Sequence, residues 1–168
     1  LMSKSPVVTL CQALIQQPSV TPDDANCQPM MAERLKPIGF NIETMQFHDT
    51  TNMWARRGTT GPVFCFAGHT DVVPTGPEAQ WSHPPFDAHI EDGMIWGRGA
   101  ADMKGGIAAF IGALKLFLAD SQPVGSISLI ITGDEEADAI NGTVKMVDWM
   151  KAHGHQPDFC IVGEPTNP

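Results

Sequence analysis

Val63-Phe64-Cys65-Phe66-Ala67-Gly68-His69-Thr70-Asp71 sets five apolar residues in a row ahead of a glycine and two potential cation ligands. An apolar run without alternation suits a strand covered on both faces, as in a mainly parallel sheet. The design recurs at residues 126–132, which lead into Gly133-Asp134-Glu135-Glu136, and at residues 159–162, which lead into Gly163-Glu164. Between these runs Ile107, Phe110, Ile111, Leu114, Phe117 and Leu118 fall on one helical face, and a second helix is predicted over residues 143–153. Strand, helix, strand, helix, strand predicts an α/β fold: a three-layer sandwich with a mostly parallel central sheet flanked by helices.

Towards the N-terminus, Ser5-Pro6 starts a predicted helix over residues 5–17, and a second over residues 24–37 closes with Gly39. Met30 and Met31 on that helix read as core filling. Residues 42–47 and 53–56 read as strands, and residues 58–62 as the turn before the central run. Residues 75–86, rich in Gly and Pro and carrying Trp81, Pro84, Pro85 and Phe86, read as a surface loop. No repeat, low-complexity segment or interdomain linker interrupts the 168 residues.

That length, with 42% hydrophobic residues, supports one core and one domain. A net charge of -9 argues against a nucleic-acid or anionic-membrane partner, which clustered Lys and Arg would be needed to bind, and only Arg56 and Arg57 are adjacent. With no apolar stretch of membrane-spanning length and no leader pattern, a soluble cytoplasmic protein is expected. Leu1 ahead of Met2 reads as a remnant of tag removal. The widely spaced Cys11, Cys27, Cys65 and Cys160 form no CxxC pair and read as buried free thiols in a reducing compartment.

Open α/β sheets place ligands beyond the carboxyl ends of their strands, so the loops at His69, Glu135-Glu136 and Glu164 should converge. Asp102 joins them from the start of the next helix. So many carboxylates in one place repel one another unless a cation compensates. The His and carboxylate mixture suits zinc, or cobalt or manganese, better than calcium.

Four stretches carry a resemblance: Gly68-His69-Thr70-Asp71-Val72-Val73-Pro74, Gly97-Arg98-Gly99-Ala100-Ala101-Asp102-Met103-Lys104-Gly105-Gly106, Asp134-Glu135-Glu136, and Gly163-Glu164-Pro165-Thr166. In this order they resemble the motifs of the zinc aminoacylase and carboxypeptidase family. The resemblance implies a zinc exopeptidase-like catalytic domain holding two zinc ions, with cobalt acceptable in one site. It makes Asp102 the bridging carboxylate, His69 and Glu164 ligands of one metal, Glu136 a ligand of the other, and Glu135 the general base. Asp71 would accept the second N–H of His69, and the peptide bond after Asp102 is expected to be cis. Residues 81–86, Ala100-Ala101, Glu136-Ala137 and Asn141-Gly142-Thr143 are most similar to members acting on N-succinylated diamino acids. Members acting on N-acetylated ones are near neighbours.

The same resemblance implies one further His ligand, a dimerisation domain and a C-terminal catalytic segment, none of which residues 1–168 encode. Those residues would then be the N-terminal portion of a catalytic domain, inactive and monomeric alone, whose parent is a homodimer acting on a small N-succinyl amino-acid substrate. The rival reading is a non-catalytic metal-binding module, against which the base Glu135 argues. His48, His83, His89, His153 and His155 read as surface or structural residues. Gly97-x-Gly99 lacks the third glycine of a dinucleotide fingerprint, and Asn141-Gly142-Thr143 reads as a turn and helix cap.

Overall fold

A computed structural model describes residues 5–166; Leu1 and Met2, read above as a scar and a natural start, lie outside the described residues. Helix α1 (Pro6–Ile15) begins at a proline whose missing N–H costs nothing in the first turn, and it buries Leu10, Cys11, Leu14 and Ile15. Helix α2 (Cys27–Leu35) runs into a 3₁₀ turn (Lys36–Ile38) that ends at Gly39, φ +91°. It starts later than residue 24 because Asp24 stands outside it, its carboxylate accepting the Gln28 N–H at 3.0 Å. Met31 is fully buried and Met30 packs partly exposed against the same core.

The chain then forms strands β1 (Asn41–Phe47), β2 (Thr50–Arg57) and β3 (Val63–His69), and a hairpin, β4 (His89–Glu91) and β5 (Met94–Trp96). Helix α3 (Gly105–Asp120), strand β6 (Ser126–Thr132), helix α4 (Thr143–Ala152) and strand β7 (Phe159–Val162) follow. The five-stranded sheet has the order β1-β2-β6-β3-β7. Strand β3 is parallel to both β6 and β7, while β2 runs antiparallel to β6 and to β1. The three apolar strands therefore lie side by side with their carboxyl ends on one edge.

Strand β6, buried at every position, shows why the sheet is the middle layer. Its Ile127, Leu129 and Ile131 pack with Leu14, Met31, Ile107, Ile111 and Leu114 on the face covered by α1, α2 and α3. Ile130 points the other way, among Trp54, Cys65, Met146 and Met150 under α4. Each such side chain fully buried stabilises by about 1.5–3 kcal/mol.

Strand β7 departs from expectation. It is an edge strand exposed throughout, with Phe159 65%, Ile161 54% and Val162 61% accessible. Cys160 is accordingly exposed, whereas Cys11, Cys27 and Cys65 are buried free thiols. An apolar run marks a strand with two apolar faces but does not say whether anything covers them. Phe117, expected in the core, is 46% exposed beside the same edge. With Phe64, Phe110, Val124 and Phe159 it lines an apolar cleft of about 430 Å³. Within the sheet Cys160 sits directly opposite Cys65. The hairpin β4–β5 was not anticipated; it turns through Asp92-Gly93, both with positive φ, the dipeptide most suited to a tight hairpin.

Candidate metal centre

His69 is the last residue of β3, Glu135 and Glu136 follow β6 after two residues, and Glu164 follows β7 after one. Main-chain bonds from Thr70 N–H to the Thr132 carbonyl (3.0 Å) and from Gly163 N–H to the Ala67 carbonyl (2.9 Å) carry the register past the strand ends. The His69 imidazole is 1% exposed. Its Nε2 faces Asp102 Oδ1 at 3.2 Å, Glu164 Oε1 at 3.2 Å and Glu135 Oε2 at 3.7 Å. Donor atoms of His69, Asp102 and Glu136 lie within 4.8 Å of one another, as do those of His69, Glu135 and Glu164. The sheet thus assembles every ligand candidate from the sequence around one ring, and Glu135 and Glu136 face different partners.

Charge crowding is visible in the acidities. Burial alone would lower the His69 pKa, but hydrogen bonds to the Asp71 side chain and carbonyl, with the Asp71 and Glu164 charges, raise it to about 9. Burial, opposed by His69 but reinforced by Asp102 and Glu135, raises Glu164 to about 7. Burial and then the Asp102 charge raise Glu136 as well. A buried ring nitrogen faced by three carboxylates, two of the surrounding acids held back from ionising, is the environment a divalent cation relieves. The residues fit a metal.

Asp71, 0% exposed, ties the centre together. Its main-chain carbonyl lies 2.8 Å from His69 Nδ1 and its carboxylate 3.4 Å away. The same carboxylate accepts the Glu135 and Glu136 N–H groups at 3.1 Å each. Burial pushes its acidity the other way, yet the His69 and Glu136 bonds hold the Asp71 carboxyl below the usual range.

Asp102 arrives in an irregular turn (Ala100–Lys104), and the Asp102–Met103 peptide is cis. Fully buried Met103 fixes this turn. Its sulfur accepts the His69 N–H at 3.3 Å, and a Cβ on Gly68 or Gly163 would come within 2.5 Å and 2.7 Å of its methyl group. Gly68, next to last in β3, therefore leaves space for Met103, and Gly163, just after β7, for Met103 and the Phe66 ring, with whose Cζ a Cβ there would collide. Lys104, also buried, donates to the Gln17 carbonyl at 2.8 Å.

Two supporting carboxylates carried no role in the sequence reading. Asp134, 4% exposed, accepts the N–H groups of Ala139, Ile140 and Asn141 at 2.9–3.2 Å and folds the loop after Glu136 back on itself. Asp24 accepts the Thr70 hydroxyl at 2.7 Å from behind the His69 loop. The signal available for both was an acid beside apolar elements, too common to single out. A cleft of about 200 Å³ opens beside the centre, lined by His69, Thr132, Glu135, Thr143, Val162 and Glu164.

An α/β sandwich that gathers His and carboxylate donors beyond its parallel strands is a scaffold suited to a divalent metal, and residues 65–168 match peptidase family M20/M25/M40. The chain belongs to that family. Membership implies a divalent metal at the centre. In sequence the chain is 56% identical over 167 residues to the succinyl-diaminopimelate desuccinylase of Psychromonas ingrahamii, covering 99% of this chain and 44% of that protein. It is 58% identical over 164 residues to the same-named protein of Methylobacillus flagellatus, covering 97% and 44%. Human carnosine dipeptidase 1 shares the fold at TM-score 0.83 and 23% identity, covering 96% of this chain and 38% of that one. An M20 family metallo-carboxypeptidase of Sulfolobus solfataricus matches at TM-score 0.83 and 21% identity, over 96% and 37%. The chain thus spans 44% of the length of these curated relatives.

Proposed function

We propose that this chain is the N-terminal portion of the catalytic domain of a desuccinylase that hydrolyses N-succinyl-L,L-diaminopimelate to succinate and L,L-diaminopimelate, a step towards lysine and cell-wall precursor. The observation that carries the reading is the convergence of Asp102, Glu135, Glu136 and Glu164 on the buried His69, in a chain 58% identical to a curated protein of that name.

His69 and Glu164 would hold one zinc and Glu136 a second, with Asp102 able to serve both and cobalt an acceptable substitute in one position. When bound, the metal ions supply Lewis acidity that polarises the scissile carbonyl and acidifies a water. The chain's own part is to place and move protons. Glu135, held at the cleft by its N–H bond to Asp71, takes the proton of the attacking water and delivers it to the leaving amine as the C–N bond breaks. Asp71 fixes the His69 ring through Nδ1 and leaves Nε2 turned towards the carboxylates. The parent protein is a cytoplasmic homodimer and supplies the remaining nitrogen ligand and the substrate contacts; the isolated chain is inactive. Among the described residues no helix is long and apolar enough to cross a membrane.

The test is Glu135→Gln in the full-length parent. Metal content should remain while turnover of the succinyl substrate falls by about 10²–10⁴-fold, the contribution typical of a general base. Undiminished turnover, or faster turnover of an N-acetyl substrate by the unsubstituted parent, would overturn the reading.

A further inference from the structure

We propose a second metal site, separate from the centre at His69, formed by His83, His89 and Glu91 and selective for a borderline divalent cation such as nickel, copper or zinc. Donor atoms of these three residues all lie within 4.8 Å of one another. His83 Nε2 and Glu91 Oε2 are 3.2 Å apart. That is a hydrogen-bond distance, and it is also close to the roughly 3.3 Å that separates two ligands each about 2.0–2.2 Å from a tetrahedral ion, so a metal could replace the shared proton with little movement.

The backbone explains why the three meet. His89 and Glu91 are two apart on β4 and share one face of the hairpin. His83 comes from the loop ahead of Pro84-Pro85, which is tied back by the Arg98 N–H to the Pro85 carbonyl at 2.7 Å. Its ring lies against His89 with centroids 3.9 Å apart, and Trp96, the cross-strand partner of His89, packs edge-on to it at 5.8 Å. The hairpin, the proline-stiffened loop and the indole thus present two imidazoles and a carboxylate on one accessible patch. Two nitrogens and one oxygen favour late first-row divalent ions over magnesium or calcium, which demand oxygen shells. Three protein ligands leave at least one position for water or a further donor.

The experiment is a calorimetric titration with nickel chloride alone. The background is His69→Ala, which removes the residue common to both donor groups of the strand-end centre. One nickel per chain is expected. Affinity should fall roughly a hundredfold or more in His89→Ala and in Glu91→Gln, since losing even an orienting partner of a ligand costs about 10–100-fold. It should be unchanged in His48→Ala and His155→Ala. Absence of binding, or binding indifferent to His89 and Glu91, overturns the proposal. Should His69→Ala fail to fold, the same titration on the otherwise unsubstituted chain decides: His89→Ala must lower the nickel stoichiometry by one equivalent, and an unchanged stoichiometry overturns the site.

Discussion

Asp71 holds the ring that faces the carboxylates and, at the same time, the backbone of the two glutamates that follow β6. An amide at this position keeps the size but supplies one acceptor oxygen and an NH₂ that faces two N–H donors. Asp71→Asn is therefore expected to weaken zinc binding by about 10–100-fold, measured by competition with a chelator. A smaller effect is expected for Asp24→Asn, which acts one step further back through Thr70. At this scale much was legible. That His69, Asp102, Glu135, Glu136 and Glu164 should converge was readable because ligand types stood where strands or helix starts place them, whereas the division of roles between Glu135 and Glu136 came only from the family resemblance. Which acceptor each ring nitrogen would find was not legible, since the Asp71 carbonyl and its carboxylate compete for the same Nδ1 and only packing decides.

Among the elements, the turn that presents Asp102 depends on a side chain from its own neighbour. Met103 fills the space left by Gly68, and Met103 together with the Phe66 ring fills that left by Gly163, so a methyl group on either glycine pushes into them. Gly163→Ala should cost about 1–3 kcal/mol by overpacking, and Met103→Ala about 2–5 kcal/mol by opening a cavity; denaturant melts on each variant check both. The loop after β6 makes a parallel case. Asp134→Asn replaces one of the two oxygens that accept three N–H groups by an NH₂, which leaves at least one N–H facing a donor, and should destabilise by about 1–3 kcal/mol. Strand and helix positions were readable because β3 and β6 are apolar runs that end in glycine and α3 repeats its apolar residues at helical spacing. The hairpin β4–β5 escaped because three-residue strands carry too little alternation, although Asp92-Gly93 marked its turn.

Taken whole, the molecule has a well-covered sheet at β6 and an uncovered one at β7. An exposed apolar edge strand invites pairing with another chain, and a charge on it discourages that. Ile161→Lys should therefore raise the concentration up to which the chain stays monomeric, followed by scattering mass. At the carboxyl ends of the strands, zinc at a hundred times its dissociation constant should add about 2.7 kcal/mol to stability. That is a rise of roughly 5–10 °C in Tm for a chain of this size, reversed by a chelator. The sequence could announce that residues 159–162 form a strand, but not that it lies at the border, because coverage is a property of neighbours.

The facing pair Cys65 and Cys160 gives this border a use as a measuring device. A slip of β7 by one residue would carry the Cys160 sulfur to the opposite side of the sheet. Cys65 is buried and Cys160 exposed, so a short thiol-bridging reagent would attach first at Cys160 and then reach Cys65, slowly, only in the native alignment. Because Glu164 lies four residues beyond Cys160, the yield of that bridge would report, without any metal or substrate, the fraction of molecules in which Glu164 is in reach of His69.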